Sequence, residues 1–262
     1  MKPPPSARLI RGHRLAQGLG GLWTMAENGG LQVFDLSGNG NDGTLNGTAY
    51  FGPGKFGHAL ILDGDSDYAQ ISDSPSLDVT TQISISIWVK FGTNKLQEIV
   101  CKRDGVDRAY YLLMNPGEEI EFTISTDGVN ATDRAKSSTS TFSTTKWYHL
   151  VGTYDSISGI NLYIDEVLQE TDYFVGGAIN NAASDLYIGR LGGGAEYFDG
   201  QCDNVAIYNR ALSASEIAEL YWKPSCMFER KARTALMNGY AVPPVGAAGI
   251  MTTNPGFWGP TF

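Results

Sequence analysis

The segment Asp35-Leu-Ser-Gly-Asn-Gly-Asn-Asp-Gly43 places two aspartates, two asparagines, a serine and three glycines within nine residues. Glycine enters the φ > 0 region without steric cost, and Asn and Asp tolerate it while bonding their own backbone. The segment therefore predicts a tight loop that turns carbonyls and carboxylates toward one point. Such an oxygen cluster suits a hard cation such as calcium. The same composition also suits a polar turn between two strands that holds no ion.

Little else in the chain has the spacing of a reactive site. The sequence contains no G-x-S-x-G elbow, P-loop or H-E-x-x-H pair. Glu119 and Glu121 share one face of a strand, a common arrangement on solvated surfaces, whereas glycoside hydrolysis needs two carboxyls opposed across a cleft. Cys101, Cys202 and Cys226 are odd in number and lack C-x-x-C spacing, which argues against both a zinc site and a full disulfide framework. They read as thiols of a chain made in a reducing cytoplasm. The opening Met-Lys-Pro-Pro-Pro-Ser-Ala-Arg lacks the apolar run of a secretory signal. Asn46-Gly-Thr48 and Asn130-Ala-Thr132 match the glycosylation sequon and are accordingly expected to be unmodified.

The elements that must hold these residues are strands. Ile83, Ile85, Ile87 and Val89 alternate with Ser84, Ser86, Trp88 and Lys90. Ile120, Phe122 and Ile124 alternate with Glu121, Thr123 and Ser125, and Leu162 and Ile164 with Tyr163 and Asp165. A period of two describes a strand with one core face. Turn clusters such as Gly52-Pro-Gly54, Asn115-Pro-Gly117 and Gly192-Gly-Gly194 separate the runs, the pattern of an antiparallel β-sandwich or jelly roll. One short helix is predicted where Ser213 and Glu216 form a capping box ahead of Ile217, Leu220 and Tyr221, with Pro224 as its stop. An apolar fraction of 42% over 262 residues supports a sizeable core. The net charge of −9 disfavours nucleic acid as a partner. No apolar run is long enough for membrane insertion.

Several stretches, taken in order, carry a family resemblance. They are Gly21-Leu-Trp-Thr-Met25, Gly54-Lys-Phe-Gly-His-Ala-Leu-Ile-Leu-Asp-Gly64, Asp67-Tyr-Ala-Gln-Ile71, Ile83-Ser-Ile-Ser-Ile-Trp-Val-Lys90 and Lys146-Trp-Tyr-His-Leu-Val-Gly-Thr-Tyr154. Asn161-Leu-Tyr-Ile-Asp165, Leu186-Tyr-Ile-Gly189 and Gly200-Gln-Cys-Asp-Asn-Val-Ala-Ile-Tyr-Asn-Arg-Ala-Leu-Ser213 complete the series. Together they resemble the LamG-like jelly-roll family of the concanavalin A-like lectin/glucanase superfamily, over residues 21 to 222. The resemblance implies a structural calcium, with Asp35 and Asp203 supplying carboxylates and Asn39 and Asp42 further oxygens. Gln201-Cys202 precedes Asp203 where relatives often show a hydrophobic residue. It also places His58 and His149 inside family motifs, beside core residues, as structural histidines. The E-x-D-x-x-E strand of the glucanase branch is absent. Tyr110, Tyr111, Tyr163, Tyr173 and Tyr197 are the aromatics available to a sugar, but no ligand site can be assigned from the sequence.

Residues 1–20 and 223–262 follow neither period and read as extended terminal arms. Arg8, Arg11 and Arg14 at one end, and Met227, Phe228, Phe257, Trp258 and Phe262 at the other, are the expected contacts to other protein subunits. The expected function is a non-enzymatic module of a larger assembly, such as a decoration protein on a virion surface, with capacity for surface glycan. A free carbohydrate-binding domain is the alternative, and a glycoside hydrolase the third reading.

Overall fold

A computed structural model describes residues 2–3, 7–131, 133–136, 141–172, 177–229, 235–237 and 240–242. In chain order the strands begin with β1 (Leu19–Trp23), β2 (Gln32–Val33), β3 (Gly43–Asn46), β4 (Tyr50–Pro53), β5 (His58–Asp63) and β6 (Tyr68–Ile71). There follow β7 (Gln82–Phe91), β8 (Gln97–Arg103), β9 (Arg108–Met114), β10 (Ile120–Ile124) and β11 (Asp133–Lys136). Next come β12 (Tyr148–Asp155), β13 (Gly159–Ile164), β14 (Val167–Asp172), β15 (Leu186–Ile188), β16 (Asp199–Tyr208) and the helix α1 (Ala214–Trp222).

Two eight-stranded antiparallel sheets result. The first runs β14-β13-β12-β7-β16-β5-β4, with β1 added to β16, and the second runs β11-β10-β9-β8-β15-β6-β3-β2. Consecutive hairpins such as β12-β13-β14 and β8-β9-β10-β11 alternate with crossings between the sheets, so that β7 and β16, or β8 and β15, are neighbours distant in sequence. The alternation read in β7 holds: Ile83, Ile85, Ile87 and Val89 face the second sheet in one core with Tyr110, Leu112, Met114, Phe122 and Leu150. Burying 41 apolar residues in this core is what stabilises an all-β domain of this size.

The opposite face of β7 is buried as well, and this differs from a strand with one core face. A second apolar layer forms there from Leu15, Leu22, Val151, Tyr208, Ile217, Leu220, Met227 and Phe228. Helix α1 is laid on this layer. Ser213 Oγ accepts from the Glu216 N–H and the Glu216 carboxylate accepts from the Ser213 N–H, so the expected capping box is present. Arg210 then clamps Glu216 through two bonds of 2.9 Å and reaches the carbonyls of Arg14 and Gln17.

The segments flanking the sandwich are therefore not free arms where they are described. The first strand already starts at Leu19, and Leu15 is buried before it. Leu9 bridges Phe228, and the Ile10 N–H donates to the Met227 carbonyl at 2.8 Å. The compact unit extends to Phe228, past the boundary expected at 222. Within the remaining unit, β17 (Ala235–Met237) pairs antiparallel with β18 (Tyr240–Val242).

Candidate functional site: an arginine and tyrosine face on the second sheet

Register decides which side chains meet on the outer face of the second sheet. Gln70 on β6 lies opposite Tyr187 on β15, Tyr187 opposite Cys101 on β8, Cys101 opposite Tyr111 on β9, and Tyr111 opposite Thr123 on β10. These residues form one cross-strand row, and directly opposed pairs are the contacts a sheet uses. Tyr68 leans toward Tyr187, with ring centroids 6.0 Å apart, and toward Tyr197, at 6.4 Å.

Arg190 sits among these three rings. Its guanidinium carbon is 4.6 Å from the centre of Tyr68, 5.6 Å from Tyr197 and 5.8 Å from Tyr187. Arg190 follows Gly189, whose φ of 91° requires glycine and whose missing side chain admits Leu62. The Arg190 carbonyl accepts from the Cys101 thiol at 3.0 Å, which pins the loop to β8. Beside this group Arg103 stacks on Tyr111 at 4.0 Å and pairs with Glu98. Glu98 is fully buried, and burial pushes its carboxyl up to about 7 against the opposing pull of Arg103. One Glu98 oxygen, one Glu196 oxygen and the Nε atoms of Arg103, Arg108 and Arg190 have no hydrogen-bond partner. Buried polar groups are normally paired, so this concentration on one face marks a place where a polar ligand can complete the set.

The face is chemically suited to a sugar. Aromatic rings offer flat apolar platforms, and guanidinium groups offer paired donors for hydroxyls or a carboxylate. Of the tyrosines singled out from sequence, Tyr111 and Tyr197 belong to it. Tyr110 points into the core, and Tyr163 packs at the second apolar layer of the other sheet. Tyr173 lies outside the described residues. Tyr68, Tyr187, Arg190, Arg103 and Glu98 were missed. Tyr68 and Tyr187 stood in family motifs but not as site residues, because the row exists through pairings between strands apart in sequence.

The expected metal set does not come together. Asp35 accepts from the N–H groups of Leu22, Ser37 and Asn41 and from the Ser37 hydroxyl, at 2.7–3.0 Å. Asp42 accepts from the Asp35 N–H, and the Asn39 amide donates to the carbonyls of Leu19 and Gly20. The loop thus spends its oxygens on its own backbone and on β1, with Asn41 completing the tie through Gly20 and Ser76. Asp203 is bound elsewhere. Its carboxylate holds the Lys2 ammonium at 2.6 Å and the Phe56 N–H at 3.1 Å. With an ammonium against Asp203 and no carboxylate oxygen spare at Asp35, these four residues as arranged do not fit a shared divalent ion. Among the described residues, His13, Glu219 and Cys226 do bring three ligand-type atoms within 4.8 Å of one another. Yet His13 Nδ1 accepts the Leu15 N–H, so the neutral ring carries its proton on the nitrogen facing Glu219, and Glu219 is paired with Arg14.

The other expected residues are placed as follows. Met227 and Phe228 are 1% and 4% exposed against this chain's own sheet, so these two are engaged internally, whereas Arg14 is exposed and pairs with Glu219 at the surface. Arg8 and Arg11 are exposed. Phe257, Trp258 and Phe262 lie outside the described residues. Asn115 donates to both Glu119 and Glu121, drawing the two carboxylates together. His149 is buried, stacked on Trp88 at 4.9 Å and bonded to the Ser86 hydroxyl, as a structural histidine. No helix among the described residues is long and apolar enough to cross a membrane, and all three cysteines are free thiols.

Comparison with known proteins agrees with this architecture. The adhesion G-protein coupled receptor V1 of Danio rerio is 28% identical over 178 residues, which make up 64% of this chain but 3% of the receptor. Among solved structures, domain 4 of AbnA, an extracellular arabinanase of Geobacillus stearothermophilus in complex with arabinotriose, superposes with a TM-score of 0.61 at 21% identity. It covers 78% of this chain and 98% of that one. The ligand binding domain of botulinum neurotoxin serotype D, in complex with N-acetylneuraminic acid, gives 0.64 at 15% identity, over 79% of this chain and 51% of that one. At such identities the structural likeness shows the fold. A family model described as the concanavalin A-like lectin/glucanases superfamily matches residues 63–218, more than half of the chain. With its two facing antiparallel sheets and that match, the chain belongs to the concanavalin A-like lectin/glucanase superfamily.

Proposed function

We propose that this chain is a non-enzymatic module that binds surface glycan through the arginine and tyrosine face of its second sheet. The observation that carries the reading is Arg190, enclosed by Tyr68, Tyr187 and Tyr197 with its Nε unpaired. Two structural neighbours solved in complex with carbohydrate, arabinotriose in one and N-acetylneuraminic acid in the other, support the class of ligand. A glycan array probed with the full chain tests it. Bound glycans should lose at least tenfold in affinity with Arg190→Ala, while the melting temperature stays within a few degrees. Absence of binding to any glycan, or binding unchanged in Arg190→Ala, would sink the reading.

A second reading, a subunit of a larger assembly such as a virion decoration protein, draws on the exposed trio Arg8, Ile10 and Arg11. It is the weaker one, because Met227 and Phe228 are buried within the chain. Light scattering separates the two: a subunit forms a defined oligomer that Arg8→Glu/Arg11→Glu disrupts, and a free binding module does not.

A further inference from the structure

Lys102 on β8 stands opposite Tyr110 on β9, whose ring lies in the core, and its side chain points the same way. Only 1% of that side chain is exposed. An ammonium has three N–H donors, and here each has its own acceptor. They are Asp73 Oδ1 at 2.5 Å, the Ala182 carbonyl at 2.7 Å and the Ser184 carbonyl at 2.9 Å. Asp78 Oδ1 is a fourth oxygen, 3.1 Å from the nitrogen, and takes no hydrogen bond from it.

These groups are the parts of an amide-forming reaction gathered round one nitrogen. A desolvated lysine amine is a nucleophile once it sheds its proton. Passing that proton along the 2.5 Å contact turns the Asp73 carboxylate into an acid and the ammonium into an amine. The two hydrogens left stay on the Ala182 and Ser184 carbonyls, so the lone pair faces the Asp73 carboxyl group. Asp73 is itself held, because its N–H donates to Asp185 at 2.9 Å and Asp185 also accepts from Gln70 on β6. The Asn181 amide, oriented to donate, meets both Asp78 oxygens at 2.8 and 3.2 Å and fixes that carboxylate beside the nitrogen.

We propose that Lys102 and Asp73 close an isopeptide bond in the folded chain. The amine attacks Asp73 Cγ and the N–C bond forms. Asp78 takes a proton from the nitrogen and returns it to the departing oxygen, so one C–O bond breaks and one water leaves. An ammonium and a carboxylate thereby become an amide and a water, and no oxidant or other reactant is needed. Lys102 is closed to solvent, which removes the hydration that favours the separated charges. The Asp73 side chain is 38% exposed, which gives the water a way out. Strands β8 and β6 do not pair with each other, since β15 lies between them. The bond spans that gap and joins β8 to the segment leaving β6.

The intact mass of the full chain, followed by a protease digest, reads the bond. Folded wild type should be lighter than its sequence by one water, and the digest should contain a branched peptide joining Lys102 to Asp73. Lys102→Arg and Asp73→Ala should each keep the full mass of their sequence. Should Lys102→Arg fail to fold, Asp73→Ala, at the more exposed member of the pair, serves as the control. Asp78→Asn should close the bond at least about tenfold more slowly after refolding, as expected for loss of a proton carrier. A folded wild type at its full sequence mass overturns the proposal, and so does a lost water that maps elsewhere in the chain. Closure at the wild-type rate in Asp78→Asn overturns the proton route through Asp78.

Discussion

The guanidinium of Arg103 lies 4.0 Å from the ring of Tyr111 while pairing with the buried carboxylate of Glu98 on its own strand. The arrangement keeps a glutamate inside a half-apolar face, and its consequence is a pH dependence. Burial raises the Glu98 carboxyl from 4.5 to about 7, with Arg103 opposing. The folded state therefore holds this proton through a window where the unfolded chain has lost it. Stability from this group is greatest below about pH 4.5 and falls as pH rises toward 7 and beyond. A shift of that size corresponds to on the order of 3 kcal/mol. Glu98→Gln should gain on wild type as pH rises from 5 to 8. Urea unfolding at the two values measures it, and equal slopes for the two proteins would contradict the assignment.

His149 acts in the opposite sense. Burial takes its ring from 6.5 down to about 3, so the fold keeps it neutral while the unfolded chain binds a proton. Stability from this group is present above about pH 6.5 and is lost as pH falls toward 3. In the interval between 4.5 and 6.5 the two residues offset each other, and wild type should vary little there. His149→Gln should remove the acid loss, so its unfolding free energy should rise as pH falls from 6.5 to 4.5, where wild type stays nearly level. The same level profile in the variant would show that the ring titrates normally.

Much of the sandwich was legible because its signals are local. The alternation of Ile83 to Val89 and the Ser213–Glu216 cap depend on neighbours in sequence, and both are present in the fold. The candidate face was not legible, because Tyr68, Arg103, Tyr111 and Arg190 stand on β6, β8, β9 and the loop after β15. Only the pairing of those strands makes them neighbours. The residues of the expected metal set are bonded apart for a related reason. Asp203 was read with the loop that begins at Asp35, yet its partner is Lys2, 201 positions away and inside a segment with no period. Met227 and Phe228 look like anchors in sequence, since a tail with no pattern gives no hint that its first turn folds back.

Cross-sheet packing gives a sharper test of the core. Gly152 on β12 faces Phe122 on β10, and a Cβ at Gly152 would overlap the phenyl ring. Both positions are buried in the core, where overpacking costs about 1–3 kcal/mol. Gly152→Ala should lower the unfolding free energy by that amount. In the Phe122→Leu background the same change should cost clearly less, since the smaller side chain can yield. A cost identical in both backgrounds would mean that the two residues do not share the space.

Phe228 decides whether the segment after α1 is part of the domain. It is nearly fully buried, bridges Leu9 through its backbone and packs in the layer that seats the helix. Truncating a buried phenylalanine of this kind costs about 3–5 kcal/mol. Phe228→Ala should therefore reduce stability by several kcal/mol at any protein concentration. Arg8→Ala, at an exposed position on the segment that Phe228 meets, should change it by no more than about 0.5 kcal/mol. The concentration series is the informative part. If Phe228 served a contact between copies, its loss would matter most in concentrated protein, with the melting temperature of wild type rising with concentration. A melt that is independent of concentration in wild type and uniformly lowered in Phe228→Ala places this residue within the fold of the single chain.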